Sequence, residues 1–393
     1  MKNEIIYNYE PLWGEWKVEE LLGKGSIGSV YKLSRDFFGE KQYSAVKVMS
    51  IPTEEQYNMY ISSSGHSGDS KEFFEDLVKQ IAKEINLLYQ LKGHSNIITY
   101  EDHMIKNVGE KWHIFIRMEC ATCLSDYMAN KTMETKEILQ LGIDMCKALE
   151  FCHNRGIMHR DVKEENIFVS LNSKSFKLGD FSVSKETDSL SMAQTKVGTL
   201  NYMPPEIING KTYNKNVDLY SLGLVLYKLL NKGRLPFLPN HPVKISINDI
   251  EQSYIKRLRG DVIPKPLGVN NEISNIILKA CEYNPLKRYQ NVEELKRELE
   301  KIFLNFSYLT DNTDKTSESI DETIGADLYN QNNLINQQNQ NSYNNYLNNQ
   351  QNQNSYNNNS NNQQNQNNFN NSLNSQQNQN SYNRNLNNQQ NQN

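Results

Sequence analysis

The chain is poor in cysteine and in apolar residues, and each shortage excludes a class of protein. Apolar residues make up 37% of the 393 residues, and they are concentrated before about residue 310. Five cysteines in a chain of this length do not suggest a disulfide framework. Cys120 and Cys123 form a lone Cys-x-x-Cys, and no second pair or paired histidine completes a zinc site. We expect ordinary reduced thiols, and the reducing cytosol or nucleus is the expected compartment.

Neither sign of charge dominates, and no apolar run is long enough to cross a bilayer. The 42 basic and 46 acidic residues give a net charge of −4, so no polybasic field attracts nucleic acid or an anionic membrane. The first ten residues, MKNEIIYNYE, lack the apolar core of a secretory signal. The most apolar window, VDLYSLGLVLYKLL at 217–230, is too short to span a bilayer and contains Asp218 and Lys228. We expect a buried helix there, and neither nucleic acid nor a membrane as a partner.

The end of the chain, 328–393, consists largely of Asn, Gln, Ser and Tyr and carries one charge, on Arg384. The block QQNQN starts at positions 337, 350, 363, 376 and 389, which is a period of 13 residues. This period is shorter than that of the usual solenoid repeats, and too few apolar residues recur to build a stacked core. The composition predicts a disordered, low-complexity tail that is able to self-associate weakly through amide ladders and spaced aromatic rings. An expanded repeat without a role is favoured over an assembly function.

The rest of the chain changes its pattern once, from strands to helices. Residues 12–50 contain short strand-like runs separated by glycine, namely WKVEELLG, GSVYKLS and QYSAVKVM. Over 73–91 apolar residues recur at helical spacing, and helical patterns dominate after 134. Short β-like pieces occur near NIFVS and FKLGD. Strands first and helices later favour an α+β protein with two lobes.

Three glycines in LGKGSIGSV, residues 22–30, follow the pattern G-x-G-x-x-G: Gly23, Gly25 and Gly28. Glycine lets the backbone approach a phosphate closely and donate amide hydrogens. Rossmann dinucleotide sites share this spacing, but there the glycines open a helix. Here the β-branched and aromatic stretch SVYKLSRDF follows, which is typical of a hairpin. A hairpin that covers phosphates is the favoured interpretation.

Two charged residues stand where charge is costly. Lys47 lies inside the apolar strand pattern SAVKVM, and Glu84 lies on the apolar face of the predicted helix over 73–91. Buried charges are costly unless they are paired. We therefore expect Lys47 and Glu84 to form an ion pair that places the lysine on nucleotide phosphates.

The stretch IMHRDVKEENIFV, residues 157–169, carries the strongest signal for phosphoryl transfer. Asp161 is suited to accept the proton of an incoming hydroxyl, and Lys163 is suited to neutralise charge on the transferred group. Asn166 offers a carbonyl oxygen to Mg²⁺, and Asp180 offers a carboxylate to the same ion. These residues predict a site that binds a nucleotide and Mg²⁺.

In their order along 16–303, these motifs resemble the eukaryotic protein kinase domain. Lys163, together with Gly198 and Thr199, resembles the serine/threonine class. The resemblance implies a small β-rich N-lobe with one long helix and a large, mostly helical C-lobe. It also implies transfer of the γ-phosphate of ATP, with Mg²⁺, to serine or threonine hydroxyls of protein substrates. The predicted organisation is an N-terminal extension (1–15), a kinase domain (16–303), a polar linker (304–327) and the tail (328–393).

The resemblance also assigns roles to single residues. Asp161 is the catalytic base, Lys163 assists it, and Asn166 and Asp180 are the metal ligands. Met118 is the gatekeeper, at the start of the hinge 119–121 that hydrogen-bonds adenine. Glu206 is expected to pair with Arg288, and Asp218 to brace the catalytic loop. The implied nucleotide-binding residues are Leu22, Gly23, Lys24, Gly25, Ser26, Ile27, Gly28, Ser29, Val30, Lys47, Glu84, Glu119 and Ala121.

Regulation is expected at Arg160, next to the catalytic aspartate. By analogy with related kinases, a phosphate on Thr195 would meet this arginine and order the loop around it. Ser189 and Ser191 are rival sites in the same stretch.

Ser182 departs from the family pattern, because Asp180-Phe181-Ser182 stands where Asp-Phe-Gly is usual. A Cβ at that position makes a positive φ less favourable by on the order of 1–2 kcal/mol. Asp180, the expected metal ligand, is retained. The sequence favours an active kinase over two alternatives. These are a pseudokinase scaffold that binds nucleotide, and an assembly protein that acts through its tail.

Overall fold

The computed structural model describes residues 4–25, 28–64, 70–129, 131–170, 174–181 and 201–313, all within one unit, Met1–Thr313. Several predictions fall on other residues, and they stay predictions. They concern Ser26, Ile27, Ser182, Ser189, Ser191, Thr195, Gly198, Thr199 and the whole tail 328–393.

Five antiparallel strands form a sheet in the order β1-β2-β3-β5-β4. Alternation along the strands decides which face each residue takes: Tyr31 and Leu33 of the second strand are buried on one face, and Val30 and Lys32 lie on the other. The glycine-containing turn joins the first two strands as an antiparallel hairpin, which confirms the predicted hairpin. The strands are β1 (Lys17–Lys24), β2 (Ser29–Phe37), β3 (Glu40–Ile51), β4 (Tyr100–Val108) and β5 (Lys111–Glu119).

Both faces of this sheet are covered. On one face lies α2 (Ser70–Gln90), which buries its apolar stripe, including Ile81 and Ile85, against β3 and β5. On the other face the segment before β1, with a 3₁₀ helix at Ile5–Tyr9, packs Ile6, Leu12 and Trp16 against the sheet. Residues of the predicted N-terminal extension therefore belong to the core of the small lobe.

The structure adds a second helix to the small lobe, α1 (Glu54–Ser64). The sequence predicted only one long helix in this lobe. Residues 53–70 are polar and lack an apolar stripe of helical period, so they give no signal for a second helix. Aromatic contacts hold α1 in place: the Tyr60 ring lies 5.0 Å from that of Phe73 and 5.7 Å from that of Phe74, centroid to centroid. Such contacts between separate elements leave no periodic signal in the sequence.

The second half of the described chain is mostly helical, as predicted, and is centred on one buried helix. That helix, α6 (Asn216–Leu230), is the apolar window that the sequence predicted to be buried, and nearly all its residues are. A small sheet, β6-β7-β8, lies against the helix Thr135–His153. The elements are β6 (Thr122–Cys123), α3 (Leu124–Ala129), α4 (Thr135–His153), β7 (Ile167–Ser170), β8 (Ser175–Leu178), α5 (Pro205–Ile208), α6, α7 (Ile247–Arg259), α8 (Asn271–Ala280) and α9 (Val292–Thr313), with 3₁₀ turns at Glu164–Asn166 and Pro285–Lys287.

Local signals explain where several of these helices begin and end. Ser246 and Asp249 form a capping box at the start of α7, which ends at Gly260 with a φ of +81°. Asn270 caps α8 by accepting the amide hydrogen of Ile273. The last helix, α9, continues to Thr313, past the predicted domain limit at 303. Within the described ranges, no helix is both long enough and apolar enough to cross a membrane.

The docking of the N-terminal segment generates a first prediction. Replacing Ile6, which is fully buried, by alanine leaves a cavity against the sheet face that the N-terminal segment covers. We expect Ile6→Ala to lower the free energy of unfolding of the full chain by about 2–4 kcal/mol in urea denaturation. Asn8→Ala, at an exposed position of the same turn, is the control and should change it little. Equal stability of the two variants would contradict the docking.

Candidate active site

The catalytic loop, residues 157–166, connects α4 to β7 and brings three predicted residues together. The Asn166 side-chain amide donates to the Asp161 backbone carbonyl at 2.8 Å and to Asp161 Oδ2 at 3.1 Å. The Lys163 ammonium lies 2.9 Å from the same oxygen. Because the amide nitrogen of Asn166 is used in this way, its carbonyl oxygen is the atom that remains to face a metal.

The Asp218 carboxylate is hydrogen-bonded to the backbone of this loop. It accepts hydrogen bonds from the backbone N–H groups of His159 at 2.9 Å and Arg160 at 2.7 Å. His153 Nε2 donates to it at 2.8 Å. Arg160 has a φ of +62°, which is uncommon for a residue other than glycine. The predicted bracing role of Asp218 is confirmed.

The environment of Asp218 also determines its ionisation. Complete burial raises the pKa of this carboxyl. The hydrogen bond and charge of His153 and the interactions with His159 lower the pKa by more than burial raises it, so the pKa lies below its usual value. A depressed folded-state pKa stabilises the fold above the unfolded-state pKa. This stabilisation is present at neutral pH and is lost as the pH falls through the folded-state pKa.

Asp180 follows β8 and is fixed by its neighbours. The N–H of Gly179 donates to the Asn166 carbonyl at 2.9 Å, and the Gly179 carbonyl accepts from His159 Nε2 at 3.0 Å. The Nδ1 of His159 accepts the Asp161 amide at 3.3 Å, so the proton of a neutral ring lies on Nε2. Phe181 is buried, with its ring 4.7 Å from that of His159. These contacts hold Asp180 at a φ of +53° beside the catalytic loop.

The ion pair that Lys47 makes is with Asp180, at 2.5 Å. A pair between Lys47 and Glu84, as predicted, is not among the ion pairs of the described residues. Glu84 is half-buried on α2, on the side of the helix that contacts the sheet. The sequence predicted that Lys47 pairs with Glu84. Asp180 is a second carboxylate near Lys47, and spacing along the chain does not show which of the two carboxylates the lysine contacts.

The Lys47 ammonium also changes the acidity of Asp180. Partial removal from water raises the pKa of this carboxyl, and Lys47 outweighs that effect by charge and hydrogen bonding, so the pKa is lowered. The carboxylate is therefore ionised at neutral pH and attracts a cation. An Asp carboxylate beside an Asn carbonyl is an oxygen donor set that suits Mg²⁺, which usually keeps water and phosphate as its other ligands. The residues present fit the predicted metal.

The glycine-containing turn lies at the tip of the β1–β2 hairpin. Leu22, Gly23 and Lys24 end β1, and Ser29 and Val30 begin β2. The Gly25 amide donates to the Gly28 carbonyl at 2.8 Å. A Cβ on Gly28 would clash with the Val48 carbonyl oxygen. Close packing against β3 is therefore what requires glycine at 28, in addition to any approach to a phosphate.

The hinge begins at the end of β5. Met118 pairs in register with Ala45 of β3, and Glu119 is the last residue of β5. Ala121 follows, before β6. Cys120 lies in this connection and Cys123 is the last residue of β6, and both are free thiols. The hinge residues thus stand beside the face of β2 and β3 that carries Val30 and Lys47, which are paired across those strands.

Sequence reasoning missed one residue at this point, Lys177 on β8. Its ammonium lies 2.7 Å from Glu119 Oε1 and 2.9 Å from Glu119 Oε2. The available signal was a lysine inside the strand pattern FKLGD, of the same kind that drew attention to Lys47. The sequence offered no partner for it, because Glu119 lies 58 positions earlier in the chain.

A second predicted ion pair supports the large lobe. Arg288 contacts Glu206 through two bonds of 2.6 and 2.8 Å, with both side chains buried. This bidentate pair confirms the prediction and ties α5 to the turn before α9. Arg160 lies with its guanidinium carbon 5.6 Å from the centre of the Tyr213 ring.

Comparison with known proteins agrees with this geometry. The family model described as the protein kinase domain matches residues 16–299. Together, the two-lobed fold and the Asp161, Asn166 and Asp180 site define a kinase-like nucleotide site. The chain belongs to the protein kinase family.

Curated relatives include bacterial and eukaryotic proteins. A probable serine/threonine-protein kinase of Clostridium perfringens is 34% identical over 236 residues, which cover 58% of this chain and 32% of the relative. PknB of Mycobacterium leprae is 34% identical over 176 residues, 43% of this chain and 27% of the relative. The probable serine/threonine-protein kinase nek3 of Dictyostelium discoideum is 35% identical over 216 residues, which cover 52% of this chain and 18% of the relative. The matches span about a third or less of these three relatives.

The packing around Gly179 generates a second prediction. A Cβ at this position would lie 2.8 Å from a ring carbon of Phe168 and 2.9 Å from the Ile98 side chain. We expect Gly179→Ala to displace Asp180 and to weaken Mg-ADP binding about tenfold, which is about 1.4 kcal/mol. Calorimetric titration measures this.

The matched test is the double variant Gly179→Ala with Phe168→Leu, which removes ring atoms that the new methyl would meet. Part of the lost affinity should return. Unchanged Mg-ADP affinity in Gly179→Ala alone would show that the position of Asp180 does not depend on this contact.

Proposed function

We propose that this chain is an ATP-dependent serine/threonine protein kinase. The observation that carries the proposal is the convergence of Asp161, Lys163 and Asn166 in one hydrogen-bonded cluster, joined through the Gly179 amide to Asp180. Membership of the protein kinase family supports it, as do relatives whose names are those of serine/threonine kinases. A pseudokinase is less well supported, since the groups needed for chemistry are all retained.

In the proposed reaction, a serine or threonine hydroxyl attacks the γ-phosphorus of ATP. The new O–P bond forms as the bond from the γ-phosphorus to the bridging oxygen breaks, and ADP leaves. Asp161 accepts the hydroxyl proton, and its orientation is fixed by Asn166 and Lys163. The Lys163 cation offsets negative charge that collects on the transferred phosphoryl group.

The other residues place the nucleotide. Val30, Lys32, Ala45 and Lys47 share one face of the sheet by their register, so an apolar roof and a phosphate-binding cation stand together. The backbone of Glu119 and Ala121 would hydrogen-bond adenine, and the turn 23–28 would cover the phosphates. Asn166 and Asp180 would hold Mg²⁺, and the ion would supply positive charge to neutralise the phosphates. Lys47, which pairs with Asp180 in this structure, is the cation that would meet the phosphate oxygens.

Regulation and partners are proposed on the sequence. Phosphorylation of Thr195 would supply an anion near Arg160, and Ser189 and Ser191 are the rival sites. The substrates are proteins with accessible serine or threonine, and the cytosol or nucleus is the proposed compartment. The tail 328–393 is proposed to give weak self-association and to follow a linker after the kinase domain.

Replacement of the base tests the proposed function. Asp161→Asn in the full chain should lower transfer of labelled γ-phosphate to a generic protein substrate by about 10² to 10⁴-fold, because it removes the proton acceptor. Mg-ADP affinity should change far less. Asp261→Asn, at an exposed position after α7, is the control for the loss of one carboxylate.

Equal rates in wild type and Asp161→Asn would overturn the kinase proposal. If wild type still bound Mg-ATP in that case, the pseudokinase alternative would take its place.

A further inference from the structure

The ion pair between Lys177 and Glu119 joins two parts of the site that are far apart in the chain. Lys177 stands three residues before Asp180, and Glu119 begins the hinge. The Glu119 carboxylate also accepts the backbone N–H of Thr99 at 3.2 Å, and the Glu119 amide donates to the Thr99 carbonyl at 2.9 Å. We name the Lys177, Glu119 and Thr99 contacts the hinge clamp.

The segment 94–99 is bonded both to β8 and to the hinge. Ile97 forms a parallel bridge with Leu178, the Ile98 amide donates to the Leu178 carbonyl at 2.9 Å, and the Leu178 amide donates to the Asn96 carbonyl at 2.9 Å. The buried Asn96 side chain donates to the Phe176 carbonyl at 3.0 Å. Backbone bonds therefore fasten this segment to β8, and the hinge clamp fastens it to the hinge.

The pair is placed where it can be worth more than an ordinary surface pair. The side chains of Lys177 and Glu119 are only 13% and 23% exposed, and the lysine contacts both carboxylate oxygens. By contrast, the pair of Lys79 and Asp76 on α2 is 70% and 62% exposed and joins neighbours on one helix. Exposed pairs of that kind contribute little, whereas shielded pairs are less weakened by water and salt.

We propose that Lys177 and the Glu119 side chain are positioning residues that fix the distance between the adenine end and the phosphate end of the nucleotide site. This inference rests on the proposed function, in which the hinge backbone holds adenine and Asp180 faces the phosphates. With the hinge clamp intact, both ends are pre-ordered before the nucleotide arrives. Without it, a ligand that contacts both ends must order them on binding, which costs affinity.

This role separates ligands by how much of the site they span. Mg-ADP contacts both ends, whereas adenosine contacts only the hinge end. Breaking the hinge clamp should therefore weaken Mg-ADP and leave adenosine nearly unchanged. Damage to the hinge itself would weaken both ligands, and general destabilisation would lower the melting temperature together with both affinities.

The experiment measures both affinities by calorimetry on the full chain and three variants: Lys177→Met, Glu119→Gln and the double variant. Methionine keeps most of the lysine stem, and glutamine keeps an acceptor for the Thr99 amide. We expect each single variant to weaken Mg-ADP about fivefold, with adenosine affinity within about twofold of wild type. The double variant should lose no more than the worse single variant, because one interaction is removed in all three.

Lys79→Met is the control for the loss of a lysine charge and should bind both ligands like wild type. Equal Mg-ADP affinity in wild type and both single variants would overturn the positioning role, as would equal weakening of adenosine and Mg-ADP. Failure of the wild type to bind either ligand would instead remove the proposed nucleotide function on which the inference rests.

Discussion

The carboxylate of Asp218 is fully buried and accepts three hydrogen bonds, from the amides of His159 and Arg160 and from His153. A buried charge is costly unless donors surround it, and here each donor belongs to the catalytic loop or to the helix before it. Two of these bonds grip consecutive amides at the point where Arg160 takes a positive φ. The next residue is Asp161, the proposed base, so the Asp218 carboxylate determines the direction in which the chain leaves the turn toward Asp161.

The rest of the site is built outward from this turn. The His159 ring donates a hydrogen bond to the Gly179 carbonyl, and the Gly179 amide donates to the Asn166 carbonyl. Asp161 and Asn166 are therefore held in one hydrogen-bonded network with Asp180. The network continues through β8 to the segment 94–99 and the hinge. A nucleotide bound between hinge and Asp180 would thus be held by a single connected set of hydrogen bonds that begins at one buried charge.

Much of this was accessible from sequence, and the reasons for the exceptions are physical. Period and turn chemistry predicted the hairpin, the long helix α2 and the buried helix α6, since each depends on local pattern. The ordered motifs predicted the catalytic residues and the pair of Glu206 with Arg288. The pairing of Lys47 with Asp180, the partner of Lys177 and the packing of Ile6 depend on distances between separate elements. No spacing rule encodes those distances.

Amide hydrogen exchange of the catalytic loop in Asp218→Asn tests most directly whether this buried charge orders the site. Asparagine keeps the size of the side chain but removes the charge and replaces one acceptor by a donor. We expect exchange across 157–166 to accelerate on the order of a hundredfold at pH 7, while protection in α9 is retained. Unchanged protection across 157–166 in a folded Asp218→Asn protein would contradict this expectation.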